Sequence, residues 1–396
     1  MELDTFRSET RAWLQDNCPA SMRTRMVAGE EVNGGRRRRG TNPDAYIWLE
    51  RMAAKGWTVP TWPREYGGAG LSKDEFLVLL TELQRINARP PLGGMGVTML
   101  GPTLLEYGNE DQKLRHLPPI ASGEVAWCQG YSEPGAGSDL ASLQTRGEDR
   151  GDYYLVNGSK IWTSGADHAD WMFCLVRTDP GAPKHEGISF LLFPMDSPGV
   201  TTRPIQLLNG HSPFCQTFFD NLEVPKTELV HKPGQGWTVA KRLLQHERSG
   251  LAQLASAGKA GVMERIAPSR PLPALASTYA GGSVPHALRD EIVQIELQQR
   301  ALSLTQQRTL AESEANTPGA ATSIFKYVEA ELVKAQLEIQ LRIRGTRAFG
   351  WEGADFSAEE QDMCRLWLES KAISIAGGSN EIQLNIIAKR VLGLPD

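Results

Sequence analysis

The stretch Tyr153-Tyr-Leu-Val-Asn-Gly-Ser-Lys-Ile-Trp162 marks where the hydrophobic pattern of this chain has changed from helical to extended. Apolar and aromatic residues flank Asn157-Gly158, the dipeptide most typical of a two-residue type I′ turn. The stretch therefore predicts a β-hairpin. Segments 171–178, 187–195 and 214–224 continue as short apolar runs separated by Pro, Gly and Asp, which predicts a compact antiparallel β domain.

Helical spacing of apolar residues dominates on both sides of this β domain. Before it, Asn42-Pro43 and the capping box Ser72-x-x-Glu75 indicate helix starts. After it, a helix bundle is predicted, interrupted at 267–286 by a Pro- and Gly-rich segment that predicts a mobile connection. The expected architecture is α+β, with domains at 1–123, 124–233 and 234–396. The helices predicted after the β domain cover roughly 237–266, 287–316, 319–344 and 359–376, with a last one after Ser379.

The composition excludes several classes of protein. Of the 396 residues, 40% are hydrophobic and 22% charged, and the net charge of −5 argues against nucleic acid or a membrane surface as partner. No apolar stretch is long enough to cross a bilayer. The acidic start Met1-Glu-Leu-Asp4 is unlike a secretory or transit peptide, and the five scattered cysteines lack metal-ligand spacing. A cytoplasmic protein without a metal site is expected.

The densest local motif is Tyr131-Ser-Glu-Pro-Gly-Ala-Gly-Ser-Asp139. Its glycines, Gly135 and Gly137, allow the backbone to approach a ligand closely. The third glycine of a dinucleotide-binding fingerprint is missing and no helix follows, so a Rossmann site is excluded. Taken alone, the motif is equally consistent with a tight turn. Trp162, followed by Thr163-Ser164, fits either a core residue or a ring that stacks on a planar ligand.

Several motifs, in their order and spacing, together resemble the acyl-CoA dehydrogenase family over nearly the whole chain. The resemblance implies an α-helical N-terminal domain, a middle antiparallel β-barrel and a C-terminal four-helix bundle, with FAD between barrel and bundle. It also implies an enzyme that converts an acyl-CoA to a trans-2-enoyl-CoA and passes electrons to an electron-transferring flavoprotein, usually as a tetramer. The motifs are Gly56-Trp, Trp62-Pro-x-Glu65-Tyr-Gly-Gly-Ala-Gly70, Glu106-Tyr-Gly, Ser132-Glu-Pro-Gly-Ala-Gly-Ser-Asp139, Asn157-Gly-Ser-Lys160-x-Trp162 and Gly378-Ser-Asn-Glu-Ile-Gln383.

Carried over residue by residue, the resemblance implies a flavin-binding loop and a second cofactor strip near the C-terminus. Ser132 would contact the pyrimidine end of the flavin ring, Trp162 would pack against the ring system, and Ser164 would bond its reactive nitrogen. The implied cofactor contacts are Gln129, Tyr131, Ser132, Gly137, Ser138, Trp162, Thr163, Ser164, Arg342, Gly345, Ser379, Asn380 and Glu381. The implied substrate contacts are Ser138, Gln245, Arg248, Gly377 and Gly378.

The chemistry requires a carboxylate that removes the proton alpha to the thioester carbonyl while flavin accepts a hydride from the beta carbon. Many family members carry this glutamate just before the final Gly-Thr/Ser motif, where this chain has Gly377. Glu247 lies on the apolar stripe that contains Leu243 and Leu251, where desolvation would strengthen it as a base. Glu247-Arg248 also resembles the branch that keeps its base on this helix, such as the long-chain and isovaleryl enzymes. Glu247 is therefore the predicted base; structural pairing with a buried arginine is the alternative.

A missing motif leaves the assembly open. Many members use Arg-x-x-Phe-Gly to reach the FAD of a neighbouring subunit, and this chain has the segment 267–286 instead. Such a loss resembles the mixed α2β2 dehydrogenases that act on bulky substrates such as steroid side-chain CoA esters. The alternatives are a homo-tetramer or homo-dimer, an α2β2 hetero-tetramer in which this chain is a catalytic or a half-site subunit, and a related flavin oxidase or monooxygenase. Glu381 is the alternative base.

Overall fold

The computed structural model of the chain forms two compact units. The first contains Met1–Ile205 and Ser212–Gly250, and the second contains Gln206–His211 and Leu251–Asp396. The structure describes residues 2–24, 26, 30–256, 271–312 and 322–395, without the side chains of 247–256, 307, 310–312 and 322.

Five helices build the N-terminal part of the first unit. They are α1 (Leu3–Asn17), α2 (Pro43–Ala54), α3 (Lys73–Arg85), α4 (Gly101–Tyr107) and α5 (Glu110–Ala121). Asn42 caps α2 as predicted, and Ser72 with Glu75 forms the predicted capping box of α3. Trp48 and Leu79 are fully buried in a core formed by α1, α2 and α3. The amphipathic spacing therefore joins these three helices, while α4 and α5 contribute Leu104 and Leu117 to a different core.

Glu82 of α3 is almost fully buried and binds two arginines. Arg11 of α1 donates two hydrogen bonds to its carboxylate, at 2.8 and 2.9 Å, and Arg85 donates one at 2.8 Å. The Arg11 hydrogen bonds outweigh the opposite effect of burial, and together with Arg85 they lower the pKa of Glu82 to about 2. This network links α1 to α3.

Glu82→Gln is expected to lower the free energy of unfolding at about pH 7 by about 1–2 kcal/mol, because the partner Arg11 is half exposed and solvent screens the pair. The ordinary pKa of 4.5 exceeds the folded value of about 2. The stabilisation is therefore complete above the ordinary value and is lost as the pH falls toward the folded one. Urea unfolding of both proteins across this range checks the prediction. A difference that does not shrink in acid would contradict it.

Eight strands form one sheet in the middle of the chain. They are β1 (Trp127–Gly130), β2 (Arg146–Asp149), β3 (Tyr153–Ser164), β4 (Trp171–Arg177), β5 (Ile188–Pro194), β6 (Val200–Ile205), β7 (Phe214–Pro225) and β8 (Leu229–Val230). Hydrogen bonds join them in the order β6-β7-β3-β2-β4-β5-β8, and β1 pairs with β4. Most neighbours are antiparallel as predicted, but β1 runs parallel to β4 and β2 meets β4 in parallel at Arg146 and Arg177.

Alternate residues of β4 and β5 face two different cores. Phe173 and Phe190 lie in a core shared with α4, α5 and the helix α6 (Gly236–Ser256). Met172 and Leu191 lie in a second core, enclosed by β3 and β7. Because both faces are covered, these strands are continuous apolar runs instead of alternating ones.

The predicted hairpin at Asn157-Gly158 is wrong. β3 runs through this dipeptide without turning, and a register shift against β7 marks a β-bulge there. Gly158 has a φ of +145°, and a Cβ at this position would lie 2.8 Å from the Cα of Thr145. The glycine is required by this close backbone approach, which the Asn-Gly pattern cannot distinguish from a turn. The hairpin instead joins β2 to β3 through residues 150–152, where Gly151 has a φ of +88°.

The C-terminal part of the chain is helical. In the described residues, the α-helices after α6 are α7 (Leu272–Tyr279), α8 (His286–Glu312), α9 (Thr322–Arg344), α10 (Ala358–Ser370) and α11 (Asn380–Ile386). The order helical, β, helical confirms the predicted fold class. The predicted helix ends at about 266 and 316 fall outside the described residues. No helix within the described ranges combines the length and the apolarity needed to cross a bilayer.

The predicted connection at 267–286 is wrong for residues 272–279, while 280–285 join two helices without helical structure. Helix α7 forms at 272–279 and buries Leu272 and Leu275. Pro271 stands at its N-cap and Pro273 in its first turn, where the missing N–H of proline costs no hydrogen bond. The prolines therefore start a helix instead of preventing one.

Candidate functional site

A buried ion pair holds the motif Tyr131–Asp139 against β3. Lys160 of β3 is fully buried, and its Nζ donates to Glu133 Oε1 at 2.8 Å and to the carbonyl oxygen of Tyr131 at 3.1 Å. The Glu133 carboxylate also accepts the backbone N–H of Gln144 at 2.6 Å and of Thr145 at 2.8 Å. Three donor groups therefore make four hydrogen bonds to one carboxylate and one carbonyl, which fixes the start of the loop.

The electrostatics of this pair favour two charged partners. Burial alone would raise the pKa of Glu133, but the charge and hydrogen bond of Lys160, helped by Thr145 and Gln144, lower it. The carboxylate stays ionised because each of its oxygens has a donor. A buried ammonium and a buried carboxylate thus stabilise each other inside the sheet.

Beyond the ion pair the loop opens to solvent. Gly135, Gly137 and Ser138 are exposed. A Cβ placed on either glycine would meet no atom within 4 Å. Tyr131, by contrast, lies with its ring buried edge-on against Phe173 at 6.0 Å, so its side chain belongs to the core. The loop combines a fixed base with an open glycine segment.

The end of β3 presents an aromatic ring beside this loop. The backbone N–H of Ile161 donates to the carbonyl oxygen of Ser132 at 2.9 Å, which brings loop and strand together. Trp162 has a φ of +59°, sits at a register shift between Lys160 and Thr163, and is 52% exposed. Positive φ is unfavourable for a bulky residue, and such strain concentrates at functional sites. The bulge turns the indole outward.

The two hydroxyl residues after Trp162 differ in what they can offer a ligand. Thr163 is fully buried, and its Oγ1 donates within the sheet, to Cys215 O at 2.7 Å, and lies 2.8 Å from Thr217 Oγ1. The hydroxyl of Thr163 therefore bonds within the sheet, and only the backbone of this residue is left to contact a ligand. Ser164 is half-buried at the last position of β3, opposite Phe214.

Gln129 of β1 carries a buried amide that the protein leaves without a partner. Its Nε2 is inaccessible to solvent and makes no hydrogen bond to any described residue. Gln129 lies opposite Phe173 on β4, two residues before Tyr131 and the start of the loop. An unpaired buried donor is costly, so this amide is suited to an acceptor on a bound group.

A second polar group, the Glu106 cluster, consists of Glu106, Arg242, Gln245 and His246. Arg242 of α6 donates to both oxygens of Glu106 at the end of α4, through Nε at 2.7 and 3.0 Å and Nη2 at 2.8 Å. His246 Nε2 lies 2.9 Å from Glu106 Oε1, and Gln245 Oε1 accepts from Arg242 Nη1 at 3.1 Å. Helical spacing places Arg242 and His246 on one face of α6 but does not indicate that both contact Glu106. The cluster was therefore not predicted from the sequence.

The cluster keeps its carboxylate charged and its imidazole neutral. Burial raises the pKa of Glu106, but Arg242 outweighs it and the net shift is downward. Burial, followed by the positive charge of Arg242, lowers the pKa of His246. A neutral imidazole at this position donates its Nε2–H to Glu106.

The predicted base Glu247 follows His246 on α6. Leu243, one turn earlier on the predicted stripe, is fully buried in the core of the first unit. The side chains of Glu247 and Arg248 lie outside the described part of the structure, so their predicted roles rest on their places in the helix.

In the second unit, the predicted cofactor strip surrounds the start of α11. Ser379 is the N-cap of this helix and accepts from the Ile382 amide at 3.5 Å, and Asn380 Nδ2 donates to Glu331 at 2.6 Å. Glu381 is exposed, and the hydrogen bonds of its own backbone N–H and of Ser379 lower its pKa. An acid in the first turn suits the helix dipole, so its position has a structural explanation.

Two glycines precede this strip. Gly377 and Gly378 have φ values of +68° and +92°, in the left-handed region where other residues are strained. A Cβ on Gly378 would lie 2.6 Å from Gln383 Nε2. The backbone at Gly377 therefore disfavours the glutamate that many family members carry there.

The remaining predicted contacts of the second unit lie at the end of α9. Arg342 is half exposed and forms an ion pair with Glu291 of α8. Gly345 follows the helix with a φ of +58° and is exposed. Arg342 therefore has a protein partner that a cofactor would need to displace.

The chain is similar to known proteins over its whole length. Three family models match the chain: acyl-CoA dehydrogenase N-terminal domain at 2–124, middle domain at 128–222 and C-terminal domain at 234–392. Acyl-CoA dehydrogenase IpdE1 of Mycolicibacterium smegmatis is 37% identical, covering 100% of this chain and 98% of that protein. The solved Tcur3481-Tcur3483 steroid ACAD is 32% identical with a TM-score of 0.76, covering 99% and 97%. The ChsE4-ChsE5 complex from Mycobacterium tuberculosis is 28% identical with a TM-score of 0.75, covering 100% and 98%.

Proposed function

The chain belongs to the acyl-CoA dehydrogenase family of oxidoreductases, and from this premise we propose that it oxidises an acyl-CoA thioester to the trans-2-enoyl-CoA, using FAD and passing electrons to an electron-transferring flavoprotein. The observation that supports this most directly is the arrangement around the Tyr131–Asp139 loop. A buried ion pair fixes its base, its glycines are open, and the unpaired amide of Gln129 and the exposed ring of Trp162 lie beside it.

These residues fit a flavin. The unpaired Nε2 of Gln129 matches the carbonyl acceptors at the edge of an isoalloxazine ring, and the exposed indole of Trp162 offers a stacking surface. Ser132 and Ser164 would offer their hydroxyls to the flavin. At Gly137 and Ser138 the backbone would approach it closely. In the second unit, Ser379, Asn380 and Glu381 form the proposed second strip. When bound, FAD supplies the acceptor for a hydride from the beta carbon of the substrate.

Gln129→Leu provides a test of the cofactor assignment. In the apoprotein the substitution removes an unpaired buried amide, so the melting temperature is expected to stay equal or to rise. In the holoprotein it removes one hydrogen bond, so the dissociation constant for FAD is expected to rise about 2- to 10-fold. Thermal unfolding with and without FAD, and fluorescence titration of FAD, measure both effects. Equal loss of stability in both forms would show that the amide has a partner within the protein.

Proton transfer is the part of the reaction assigned to the protein itself. We propose Glu247 as the base that removes the alpha proton, since α6 delivers it one turn after the buried Leu243 and the backbone at Gly377 disfavours an acid there. Gln245 and Arg248 on the same helix, and Gly377 and Gly378 in the second unit, are the proposed substrate contacts together with Ser138.

The proposed substrate class is a bulky acyl-CoA of the steroid side-chain type, and the proposed assembly is an α2β2 hetero-tetramer. The lack of Arg-x-x-Phe-Gly after α6 supports the mixed assembly. The similarity to the Tcur3481-Tcur3483 steroid ACAD and to the ChsE4-ChsE5 complex supports both proposals. A homo-tetramer acting on straight-chain acyl-CoA is the alternative.

Anaerobic bleaching of the bound flavin by a panel of acyl-CoAs tests this proposal. The chain is purified alone and together with a second acyl-CoA dehydrogenase subunit, and each preparation is mixed with steroid side-chain and straight-chain acyl-CoAs. Fast bleaching by the bulky thioesters is expected. If the active assembly is a hetero-tetramer, only the preparation that contains both subunits is expected to bleach. Bleaching by straight-chain substrates alone would contradict the substrate class. Rapid hydrogen peroxide release in air, with poor reduction of an electron-transferring flavoprotein, would indicate an oxidase.

A further inference from the structure

The Glu106 cluster lies directly before the turn of α6 that contains Glu247. Arg242 and His246 are four residues apart and both contact the carboxylate of Glu106, at 2.7 and 2.9 Å. Their side chains are only 23% and 15% exposed, so solvent screens these contacts less than it screens a surface pair. Neither contact belongs to the proposed cofactor site, and both join α4 to α6.

We propose that the Glu106 cluster is a positioning device that fixes the turn of α6 carrying Gln245 and Glu247, and so sets the rate of proton abstraction. This inference rests on the proposed function. It assigns a role in the reaction to Glu106, Arg242 and His246, none of which touches the substrate in this scheme. They are positioning residues that act through Glu247.

Two contacts at this spacing restrain a helix in a way that one contact cannot. A single ion pair lets a helix rotate about its axis and slide along it. Contacts from Arg242 and His246, about 6 Å apart along the axis, to one carboxylate on α4 restrain both motions. Glu247 follows His246 by about 100° around the helix, so its backbone position lies on a different face from the two anchoring residues.

The other end of this helical segment is already fixed to the sheet. Gly234 donates its backbone N–H to Ser189 Oγ at 3.1 Å, and a Cβ on Gly236 would lie 2.5 Å from the backbone of Ser189. Val239 is fully buried one turn later. The Glu106 cluster thus supplies the second anchor of α6, close to Gly250, where the first unit ends.

The energetic consequence is a requirement for accurate placement. A misplacement of about 1 Å between reacting groups lowers a rate by about 100-fold. Loss of the Glu106 contacts would release the turn of α6 that contains Glu247. The contacts of Gly234 and Gly236 with the sheet, and the flavin loop, would stay intact. The expected effect is therefore on the chemical step, with little change in cofactor binding.

The test compares Glu106→Gln, Arg242→Lys and the matched control Glu82→Gln. Glu82 also binds an arginine through two hydrogen bonds, but between α1 and α3, away from α6. With the holoprotein, E106Q is expected to lower the rate constant for flavin reduction about 10- to 100-fold with FAD content little changed, and to raise KM for acyl-CoA by a smaller factor because Gln245, a proposed substrate contact, lies on the same turn. R242K, which keeps the charge but loses the paired geometry, is expected to fall between wild type and E106Q. E82Q is expected to turn over normally at temperatures where it is folded.

Hydrogen–deuterium exchange of the peptide covering 240–250 is the second readout, and it does not depend on turnover. E106Q is expected to exchange faster there than wild type, with or without FAD, whereas E82Q is not. Normal turnover per bound flavin in E106Q, or unchanged exchange in this peptide, would overturn the inference. If no acyl-CoA bleaches the wild-type flavin, the proposed function fails instead, and the exchange arm alone decides whether the cluster fixes this turn.

Discussion

Glu247→Gln is expected to lower the rate constant for flavin reduction by acyl-CoA by on the order of 10²–10⁴, while the FAD content stays at the wild-type level. The amide has nearly the shape of the carboxylate, but it cannot accept the alpha proton. Because acyl-CoA binding does not require that proton transfer, the dissociation constant for substrate is expected to change little. Anaerobic stopped-flow bleaching with the best substrate of the panel measures both quantities.

The matched control is Glu50→Gln, which removes a carboxylate from an exposed ion pair with Arg38 and is expected to leave the rate unchanged. Glu247→Asp keeps the base but shortens it, so an intermediate rate is expected. Full activity in E247Q would place the base elsewhere, with Glu381 the next candidate on this chain. In a mixed complex, unchanged activity in E247Q would instead indicate that this chain is the non-catalytic partner.

The architecture was predictable because it depends on local patterns. Helix starts such as Ser72-x-x-Glu75 are fixed by residues three apart, and the order helical, β, helical follows from the change in hydrophobic period. Local patterns failed at Asn157-Gly158. A glycine required by contact with Thr145 looks the same in sequence as a glycine required by a turn. The exact domain boundaries at 123 and 233 stay a prediction.

The candidate site residues could be named from the sequence, but the contacts that hold them could not. The loop motif and Trp162 were singled out through the family resemblance, and their role as cofactor contacts stays a prediction. Lys160 and Glu133, however, are 27 positions apart, and Glu106 and Arg242 are 136 apart. Nothing in a single sequence indicates that such residues meet, because the contact depends on how the sheet and helices pack. These long-range pairs are the main additions of the structure to the sequence-based interpretation.

Lys160→Met is the second substitution with a large expected effect, because it leaves the Glu133 carboxylate buried without its cation. Breaking a buried ion pair by removing one partner typically costs about 3–5 kcal/mol. The remaining amide donors of Gln144 and Thr145 satisfy hydrogen bonds but do not neutralise the charge. Since Lys160 also donates to the Tyr131 carbonyl, the flavin loop is expected to lose its fixed start, and FAD is expected to dissociate during purification.

The control for Lys160→Met is Lys226→Met, at a partly exposed lysine that pairs with the exposed Asp149 at 2.7 Å. Solvent screens that pair, so K226M is expected to unfold close to the wild-type urea midpoint and to keep its flavin. The double variant E133Q/K160M removes both charges and keeps one amide oxygen, so one of the two backbone N–H groups, which bond to different oxygens of Glu133, loses its acceptor. It is expected to recover part of the stability lost in K160M, because the cost lies in the unpaired charge and not in the lost contact alone. Urea unfolding of the variants and the ratio of flavin to protein absorbance measure these effects. If K160M and the double variant were equally unstable, burial of an uncompensated carboxylate would not be the cause, and the role assigned to this ion pair would be wrong.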